Sequence, residues 1–225
     1  MSDQNLIGGA ALLVTFLFGY WRGRRRQRLL NREPGGYSPP PPEHVGEGMV
    51  RRALMAAFPG PTCYLFNNLT LPHRDGTTQI DHILMSPYGI FVIETKHYSG
   101  TIYADTAATV WQQRFRVRTQ EFQNPLHQNF AHTSAIHNLL ASAPPDHIHS
   151  LVVFTGTATF PQGYPKDVVN LAGLVPYIRQ YTEPVLAPTQ IELYVGRLET
   201  ARYRISRQTD VEHQAYLRRR FGDEN

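Results

Sequence analysis

The sequence predicts a mixed α/β domain that follows a single membrane-spanning helix. Three observations carry this prediction: an uncharged apolar run near the N-terminus, two adjacent strand-like runs in mid-chain, and helical periodicity on either side of those runs. The chain has 225 residues, of which 41% are hydrophobic and 18% charged, which is enough for one well-packed domain plus an appendage. Its single cysteine excludes an intramolecular disulfide and a cysteine-based zinc knuckle.

The apolar run covers residues 4–21 and is followed at once by RGRRRQR. At about 1.5 Å per residue it would extend roughly 27 Å, close to the bilayer core of about 30 Å. A cleaved signal peptide and a buried core helix are the alternatives, but Asp3 precedes the run and the positive cluster follows it. By the positive-inside rule the arginines stay in the cytoplasm. We therefore expect a single-pass protein of the inner or cytoplasmic membrane, with its soluble domain in the cytoplasm.

The excess positive charge is confined to the membrane-proximal part. Up to Glu33, six arginines against Asp3 and Glu33 give +4, which equals the formal net charge of the whole chain, so residues 34–225 sum to zero. Any nucleic-acid surface must then be a local patch. Residues 22–42 form a basic and proline-rich linker, in which EPGGYSPPPP favours extended polyproline II.

Helix and strand patterns alternate through residues 43–205, the predicted domain, and residues 206–225 are expected to be a polar helix or tail. A helix is expected in EHVGEGMVRRALMAAF, and strands in CYLFNNLTL, TTQIDHILM and GIFVIETKHY. GTIYAD and VWQQRFRVRT are expected to continue the sheet. Asn124 as cap and Pro125 should begin a second helix, and HSLVVFTG should be a strand buried on both faces. DVVNLAGLVPYIRQY and PTQIELYVGRLETARYRI are expected to be helical.

Charged side chains interrupt the two central strands, which are otherwise apolar on both faces. Glu94 and Lys96 are two residues apart on one strand, so they project from the same face. A hairpin with a two-residue loop would place Asp81 directly across from Glu94. A three-residue loop ending in a bulge would oppose Asp81 to Thr95 instead. The sequence leaves both registers open.

Two neighbouring carboxylates repel each other unless they share a proton, a cation or a nearby ammonium group. Lys96 would supply the ammonium, and Mg²⁺ or Mn²⁺ the cation. A hard cation held by Asp81 and Glu94, with water and a phosphate, is what metal-assisted phosphodiester hydrolysis requires. The lysine would then orient the attacking water or stabilise the charge that develops. The alternative is a structural ion pair, in which one of the carboxylates and Lys96 hold the strands together.

Several short pieces around this cluster recur together. They are GE at Gly46 and Glu47, QIDHILMSPYGIFVIETK at residues 79–96, YSG and Ile102 within residues 98–102, Trp111, and NPLHQ at residues 124–128. As a composite they resemble the NERD (nuclease-related) domain, a branch of the PD-(D/E)xK nuclease superfamily. The resemblance extends roughly from Val45 to Phe160.

The resemblance implies a restriction-endonuclease-like mixed sheet flanked by helices. It implies that Asp81 and Glu94 are metal ligands and that Lys96 is the catalytic lysine. It also implies that Glu47 on the first helix and Gln128 on the second point into the same site.

Two further groups have open interpretations. RFRVR would place Arg114, Arg116 and Arg118 on one face of a strand, either as a phosphate-tracking edge or as a solvated charged edge that prevents aggregation. The ten histidines match no common zinc motif, and each is expected to have a hydrogen-bonded structural role.

The expected function is that of a membrane-anchored endonuclease that uses Mg²⁺ or Mn²⁺ to hydrolyse nucleic acid in the cytoplasm, with DNA favoured over RNA. Asp81, Glu94 and Lys96 together favour this hypothesis. The alternative is a non-catalytic anchored module that binds nucleic acid or a protein partner, which the zero net charge of residues 34–225 favours. A small-molecule hydrolase with the same metal site is a third possibility.

Overall fold

The computed structural model describes residues 44–73 and 76–203. The expected membrane helix at residues 4–21, the linker at residues 22–42 and the tail at residues 206–225 lie outside the described residues. Of the helices that are described, none is long and apolar enough to cross a bilayer.

Four helices and eight strands make up the described part of the chain. The helices are α1 (Val45–Ala57), α2 (Pro125–Leu139), α3 (Leu171–Ile178) and α4 (Pro188–Ala201), with a short 3-10 turn at Pro145–His147. The strands are β1 (Tyr64–His73), β2 (Gly76–Ser86), β3 (Gly89–Lys96), β4 (Thr101–Tyr103), β5 (Val110–Arg114), β6 (Thr119–Gln123), β7 (Ile148–Phe154) and β8 (Val168–Asn170).

The main sheet has five strands in the order β1-β2-β3-β7-β8. The pairs β1–β2 and β2–β3 are antiparallel, whereas β3–β7 and β7–β8 are parallel. A parallel pair requires a long crossover, and the chain between β3 and β7 supplies it with β4, β5, β6 and α2. The predicted mixed α/β architecture with a sheet between helices is confirmed.

Helices cover both faces of this sheet because its central strands are apolar on both sides. On β3, Ile90 and Val92 join a core that includes Ile136 of α2 and residues of α4. Phe91 and Ile93 point the other way, into a core built with α1 and α3. This alternation fixes which β3 side chains face α2, and Glu94 and Lys96 continue the series of Ile90 and Val92.

The segment VWQQRFRVRT is not one strand, and this prediction was wrong. β5 ends at Arg114 and β6 begins at Thr119, with residues 115–118 forming a hairpin loop in which the Phe115 N–H donates to the carbonyl oxygen of Arg118. With β4 these strands form a separate three-stranded sheet and do not continue the main one. Trp111 of the small sheet is buried between Phe122 of β6 and Phe154 of β7, so it packs the small sheet against the main one.

The start of DVVNLAGLVPYIRQY is a strand, and not helix as predicted. Val168 and Val169 pair in parallel with Val152 and Val153, where β-branched side chains pack well in a sheet. Asn170 then begins α3, because its side-chain oxygen accepts a hydrogen bond from the Gly173 N–H. The N-terminus of α2 is as predicted, with the Asn124 side chain accepting from the Leu126 N–H and Pro125 in the first turn.

The β2–β3 hairpin has the two-residue loop. Ser86 pairs with Gly89, and the register continues to His82 opposite Ile93. One step further, this register places Asp81 opposite Glu94. Gly89 has φ 134°, and a Cβ there would lie 2.7 Å from Nε2 of His149, so the turn excludes a side chain. Of the two registers that the sequence left open, the structure has the one that makes the carboxylates neighbours.

Candidate active site

Asp81 lies where the regular pairing of the β2–β3 hairpin stops. Its Oδ2 accepts a hydrogen bond of 2.7 Å from the Thr95 main-chain N–H, a donor that a main-chain carbonyl would otherwise take. On the other side, Asp81 lies opposite Asn68 of β1, which has φ 50°. A positive φ is uncommon outside glycine, although Asn adopts it more readily than most residues. The strands therefore depart from regular geometry on both sides of this carboxylate.

Glu94 and Lys96 form an ion pair on the face of β3 that α2 covers. Lys96 Nζ lies 2.7 Å from Glu94 Oε1 and donates a second hydrogen bond of 2.9 Å to Gln128 Oε1 on α2. The Glu94 side chain is 3% exposed and the Lys96 side chain 16%. The lysine thus links the strand to the helix and keeps one side open to solvent.

His132 contacts the other oxygen of Glu94. Its Nε2 lies 3.2 Å from Glu94 Oε2, and its Nδ1 is 2.7 Å from the hydroxyl oxygen of Thr78 on β2. After Lys96, this contact with His132 contributes to lowering the pKa of Glu94, and among the described residues no other group donates to the buried Oε2. A carboxylate oxygen can accept more than one hydrogen bond, so Oε2 has capacity left for a ligand or water.

Asn129 fixes the position of α2 over the parallel pair β3–β7. It is fully buried, and its Nδ2 donates to the carbonyl oxygens of Val92 and Leu151 and to the hydroxyl of Ser150. The helix is therefore attached to both strands one residue after Gln128. Because residues four apart lie on the same side of a helix, Gln128 and His132 both reach the face of β3 that carries Glu94 and Lys96.

Close packing at Gly46 brings α1 to the end of β3. A Cβ at Gly46 would lie 2.6 Å from the Thr155 hydroxyl oxygen and 2.9 Å from the His97 Cβ. Only a glycine permits this approach, and it places the next residue, Glu47, near Asp81. The Glu47 charge contributes to raising the pKa of Asp81, which locates both side chains in one electrostatic site.

Gly46→Ala is expected to lower the free energy of unfolding by about 1–3 kcal/mol, the usual cost of overpacking a fitted contact. The Thr155 hydroxyl cannot rotate away without cost because it is hydrogen-bonded to Nδ1 of His97 at 3.0 Å. The matched control is Gly196→Ala on α4, where a Cβ meets nothing within 4 Å. Thermal unfolding should show Gly46→Ala destabilised and Gly196→Ala stabilised by about 0.5–1 kcal/mol. Equal effects of the two substitutions would contradict the close contact.

The titration behaviour of the two carboxyl groups differs. Burial, and then the charges of Glu94 and Glu47, raise the pKa of Asp81 well above its ordinary value. Burial also raises the pKa of Glu94, but Lys96 and His132 more than offset it, so the pKa of Glu94 lies below its ordinary value. Burial lowers the pKa of Lys96, and Glu94 reverses this, so the pKa of Lys96 is raised and the side chain is an ammonium at neutral pH.

Asp81→Asn is expected to stabilise the metal-free protein at pH 7–8, by on the order of 1 kcal/mol or about 2–4 °C in Tm. The folded-state pKa of Asp81 is raised above the unfolded-state pKa. The stability that the Asp81 carboxyl contributes is therefore fully present below the unfolded-state pKa, and it is lost as the pH rises through the folded-state pKa. The gain from the substitution should therefore shrink as the pH is lowered. Asn retains an oxygen that accepts from the Thr95 N–H.

The matched control for this substitution is Asp105→Asn. Asp105 is exposed and also accepts a main-chain hydrogen bond, from the Ala107 N–H at 2.9 Å. Melting curves in EDTA across the pH range should show no comparable gain for the control. A destabilised Asp81→Asn at pH 8 would contradict the raised pKa of Asp81, which burial and then the neighbouring carboxylates cause.

The cluster suits a hard divalent cation that keeps several waters. Within residues 44–73 and 76–203, no group of three His, Cys, Asp or Glu side chains could hold a metal ion. Mg²⁺, however, is ordinarily bound through one or two carboxylates together with water and substrate phosphate. Asp81, whose pKa is raised by burial and then by its acidic neighbours, and Oε2 of Glu94 are the oxygen atoms that fit such an ion. A soft cation that prefers sulfur or several imidazole ligands does not fit these oxygen atoms.

The structure brings together all five residues that the sequence placed in the site: Asp81, Glu94, Lys96, Glu47 and Gln128. It does not place the three arginines on one strand face. The sequence reasoning missed His132 and Asn129 as partners of the site. The signal for His132 was its spacing of four from Gln128 on a helix, which puts the two on one side. No signal in the sequence shows that Asn129 would bridge two strands.

Three further histidines, on or near β2, β3 and α2, have separate surroundings. His82 Nδ1 is 2.7 Å from the side-chain oxygen of Asn67, and His97 contacts Thr155. His127 is exposed on α2. The predicted hydrogen-bonded role holds for His82 and His97.

The site therefore consists of two carboxylates and a lysine, gathered at the open end of the central hairpin of a mixed sheet that lies between helices. The chain belongs to the NERD (nuclease-related domain) family, whose family model matches residues 42–155. An uncharacterized protein of Bacillus anthracis is 31% identical over 182 residues, covering 79% of this chain and 84% of that protein. No solved structure matches the chain.

Proposed function

We propose that this chain is a membrane-anchored, metal-dependent endonuclease that hydrolyses phosphodiester bonds of nucleic acid on the cytoplasmic side. The observation that carries the proposal is the meeting of Asp81, Glu94 and Lys96 at one strand end, in a chain of a nuclease-related family. A structural ion pair would need only one carboxylate. Here the Lys96 ammonium also donates to Gln128, and a second carboxylate, that of Asp81, lies close to Glu94.

Asp81 and Glu94 would hold Mg²⁺ or Mn²⁺. Such an ion supplies Lewis-acid polarisation of the phosphate and lowers the pKa of water at the site. The raised pKa of Asp81 supports this assignment, because a bound cation would relieve the repulsion from Glu94 and Glu47.

Lys96 would act as a charged hydrogen-bond donor. The raised pKa of Lys96 keeps its side chain in the ammonium form at neutral pH. An ammonium group cannot abstract a proton from water. It can orient the attacking water through an N–H donor or stabilise the negative charge that develops on the phosphate oxygens. Of the three N–H groups of Lys96 Nζ, one donates to Glu94 and one to Gln128. These two hydrogen bonds fix the direction of the third N–H group.

DNA is proposed ahead of RNA because the resemblance of the site is to restriction-endonuclease-like enzymes. Anchoring is proposed from the apolar run at residues 4–21 and the arginines that follow it. Restriction of the activity to nucleic acid near the membrane would follow from the short linker.

A non-catalytic anchored module is the second candidate. The observations that favour it are the ion pair of Lys96 with Glu94, which already neutralises one carboxylate, and the lack of a three-ligand group in the described part of the chain. In this candidate the same fold binds nucleic acid or a protein without cleaving it.

The experiment that separates the two is a cleavage assay with the full chain in neutral detergent. Supercoiled plasmid, single-stranded DNA and RNA are incubated with Mg²⁺, Mn²⁺ or EDTA, beside a Glu94→Gln variant purified in the same way. We expect cleavage that needs the metal and is lost in Glu94→Gln. A folded wild-type protein that cleaves none of these substrates, or cleavage that survives in the variant, would contradict the proposal.

A further inference from the structure

The loop of the β5–β6 hairpin carries a concentrated positive charge in a chain whose residues 34–225 have no net charge. Arg114, Arg116 and Arg118 are all exposed and fall within five residues. None of the three makes an ion pair with a described acidic residue. The ion pairs among the described residues involve Lys96, His132 and Arg202 instead. This charge is available to an external anion.

Aromatic rings hold two of these arginines in place. The Arg114 guanidinium lies 4.2 Å from the centre of the Tyr103 ring, and that of Arg118 lies 5.0 Å from the centre of the Phe115 ring. A stacked guanidinium keeps its planar set of N–H donors and loses less side-chain entropy when it binds a phosphate. Arg114 and Arg118 are therefore partly preorganised for an anion, whereas Arg116 has no such ring contact.

The hairpin loop adjoins the segment that leaves the candidate active site. A Cβ at Gly100 would lie 2.7 Å from the Arg114 carbonyl oxygen and 3.2 Å from the Phe115 ring, so the loop packs against Gly100. In addition, Gln113 Nε2 donates to the carbonyl oxygen of Ser99. Gly100 is four residues from Lys96, a span of at most about 14 Å. One strand of a duplex rises about 3.4 Å per nucleotide, so about four nucleotides cover that distance.

We propose that residues 114–118, named here the arginine loop, bind the phosphate backbone of a nucleic-acid strand that passes through the candidate active site. This inference rests on the proposed function and names the surface that holds its substrate. Beside the arginine loop, Gln112 Oε1 accepts a hydrogen bond of 3.2 Å from Arg114 Nη2, and the exposed Gln120 is of a residue type that suits hydrogen bonding to sugars and phosphates. Val117, 91% exposed, is the one large apolar side chain fully presented by the loop, which is too little for insertion into a lipid surface.

The test measures binding without cleavage. The full chain in neutral detergent with EDTA is titrated into a fluorescent oligonucleotide of about 20 nucleotides, single-stranded or duplex, at about 50–200 mM KCl. For the variant Arg116→Ala/Arg118→Ala we expect affinity about 10-fold lower at 100 mM KCl. We also expect the slope of log K against log salt to fall by about 1.4 for the single strand, because each lost phosphate contact removes about 0.7.

Three controls make the result specific. Arg197→Ala removes an exposed arginine on α4 and should change neither affinity nor slope. Arg116→Lys/Arg118→Lys keeps the charge and should keep most of the salt dependence. EDTA in every titration withholds the metal from the site, so a failure of the proposed cleavage does not alter this readout.

Wild-type affinity and slope in Arg116→Ala/Arg118→Ala would overturn the inference. So would a variant that binds both oligonucleotides normally but loses retention on phosphatidylserine-coated beads, since the arginine loop would then contact lipid.

Discussion

Lys96→Met is expected to lower the rate of cleavage at least about 100-fold, the size of effect seen when a donor to a developing negative charge is removed. Lys96 Nζ is the ammonium closest to the two carboxylates, and it is bonded to Glu94 at 2.7 Å and to Gln128 at 2.9 Å. Methionine has a similar length and no charge. The measurement is initial rate on plasmid with saturating Mg²⁺, with metal binding by the same variant determined separately.

The matched control is Lys166→Met. The chain has two lysines against twenty arginines, and Lys166 is the exposed one, so its substitution should leave the rate unchanged. Because Lys96→Met leaves Glu94 buried without its cation, the metal-free variant is also expected to lose about 3–5 kcal/mol of stability. Lys96→Arg retains the charge and is therefore the variant to use if Lys96→Met does not fold. Arg does not reproduce the compact ammonium, so its rate should still fall. A folded Lys96→Arg with the wild-type rate would contradict the assigned role.

Gly156→Ala is expected to destabilise the fold by about 3 kcal/mol, at the upper end of overpacking effects, or about 6–12 °C in Tm. A Cβ at Gly156 would overlap the main-chain carbonyl oxygen of Tyr98, and the Tyr98 carbonyl carbon would be 2.8 Å away. Main-chain atoms cannot move aside as a flexible side chain can. The neighbouring hydrogen bonds from the Thr155 N–H to the Lys96 carbonyl and from the Ala158 N–H to the Tyr98 carbonyl would be strained as well.

The consequence of Gly156→Ala for the site follows from that geometry. The segment that would shift is the main chain around Tyr98, two residues after Lys96. The proposed cleavage should therefore fall even at temperatures where the variant is folded. Gly60→Ala is the control, since a Cβ at Gly60 meets nothing within 4 Å. Thermal unfolding monitored by circular dichroism measures both. A Tm for Gly156→Ala equal to that of Gly60→Ala would show that the close approach is wrong.

Much of the candidate site could be predicted because it depends on local order in the chain. Glu94 and Lys96 share a face by strand periodicity alone, and a two-residue loop then brings Asp81 opposite Glu94. The choice of that loop could not be predicted, because Pro87 and Gly89 are compatible with either loop length. The structure settles the register through the packing of both faces of β3 against two separate cores.

The errors came from segments whose structure depends on distant residues. RFRVR has strand-like alternation and no Gly or Pro to mark a turn, so its hairpin could not be recognised. In the hairpin, Phe115 packs on Gly100 and Arg114 on Tyr103, which are contacts with residues distant in the sequence. The apolar run that follows Val168 and Val169 predicts a helix for these two residues as well, whereas pairing with β7 makes them a strand.

We propose above that Asp81 and Glu94 together hold a divalent cation. The most direct measurement is a calorimetric titration of Mn²⁺ into the metal-free full chain, beside an Asp81→Asn/Glu94→Gln variant that keeps the size and hydrogen-bonding oxygens of both side chains. We expect one saturable site per chain in the wild type and none in the variant. A folded wild-type protein without saturable binding, or a variant that binds as the wild type does, would contradict it.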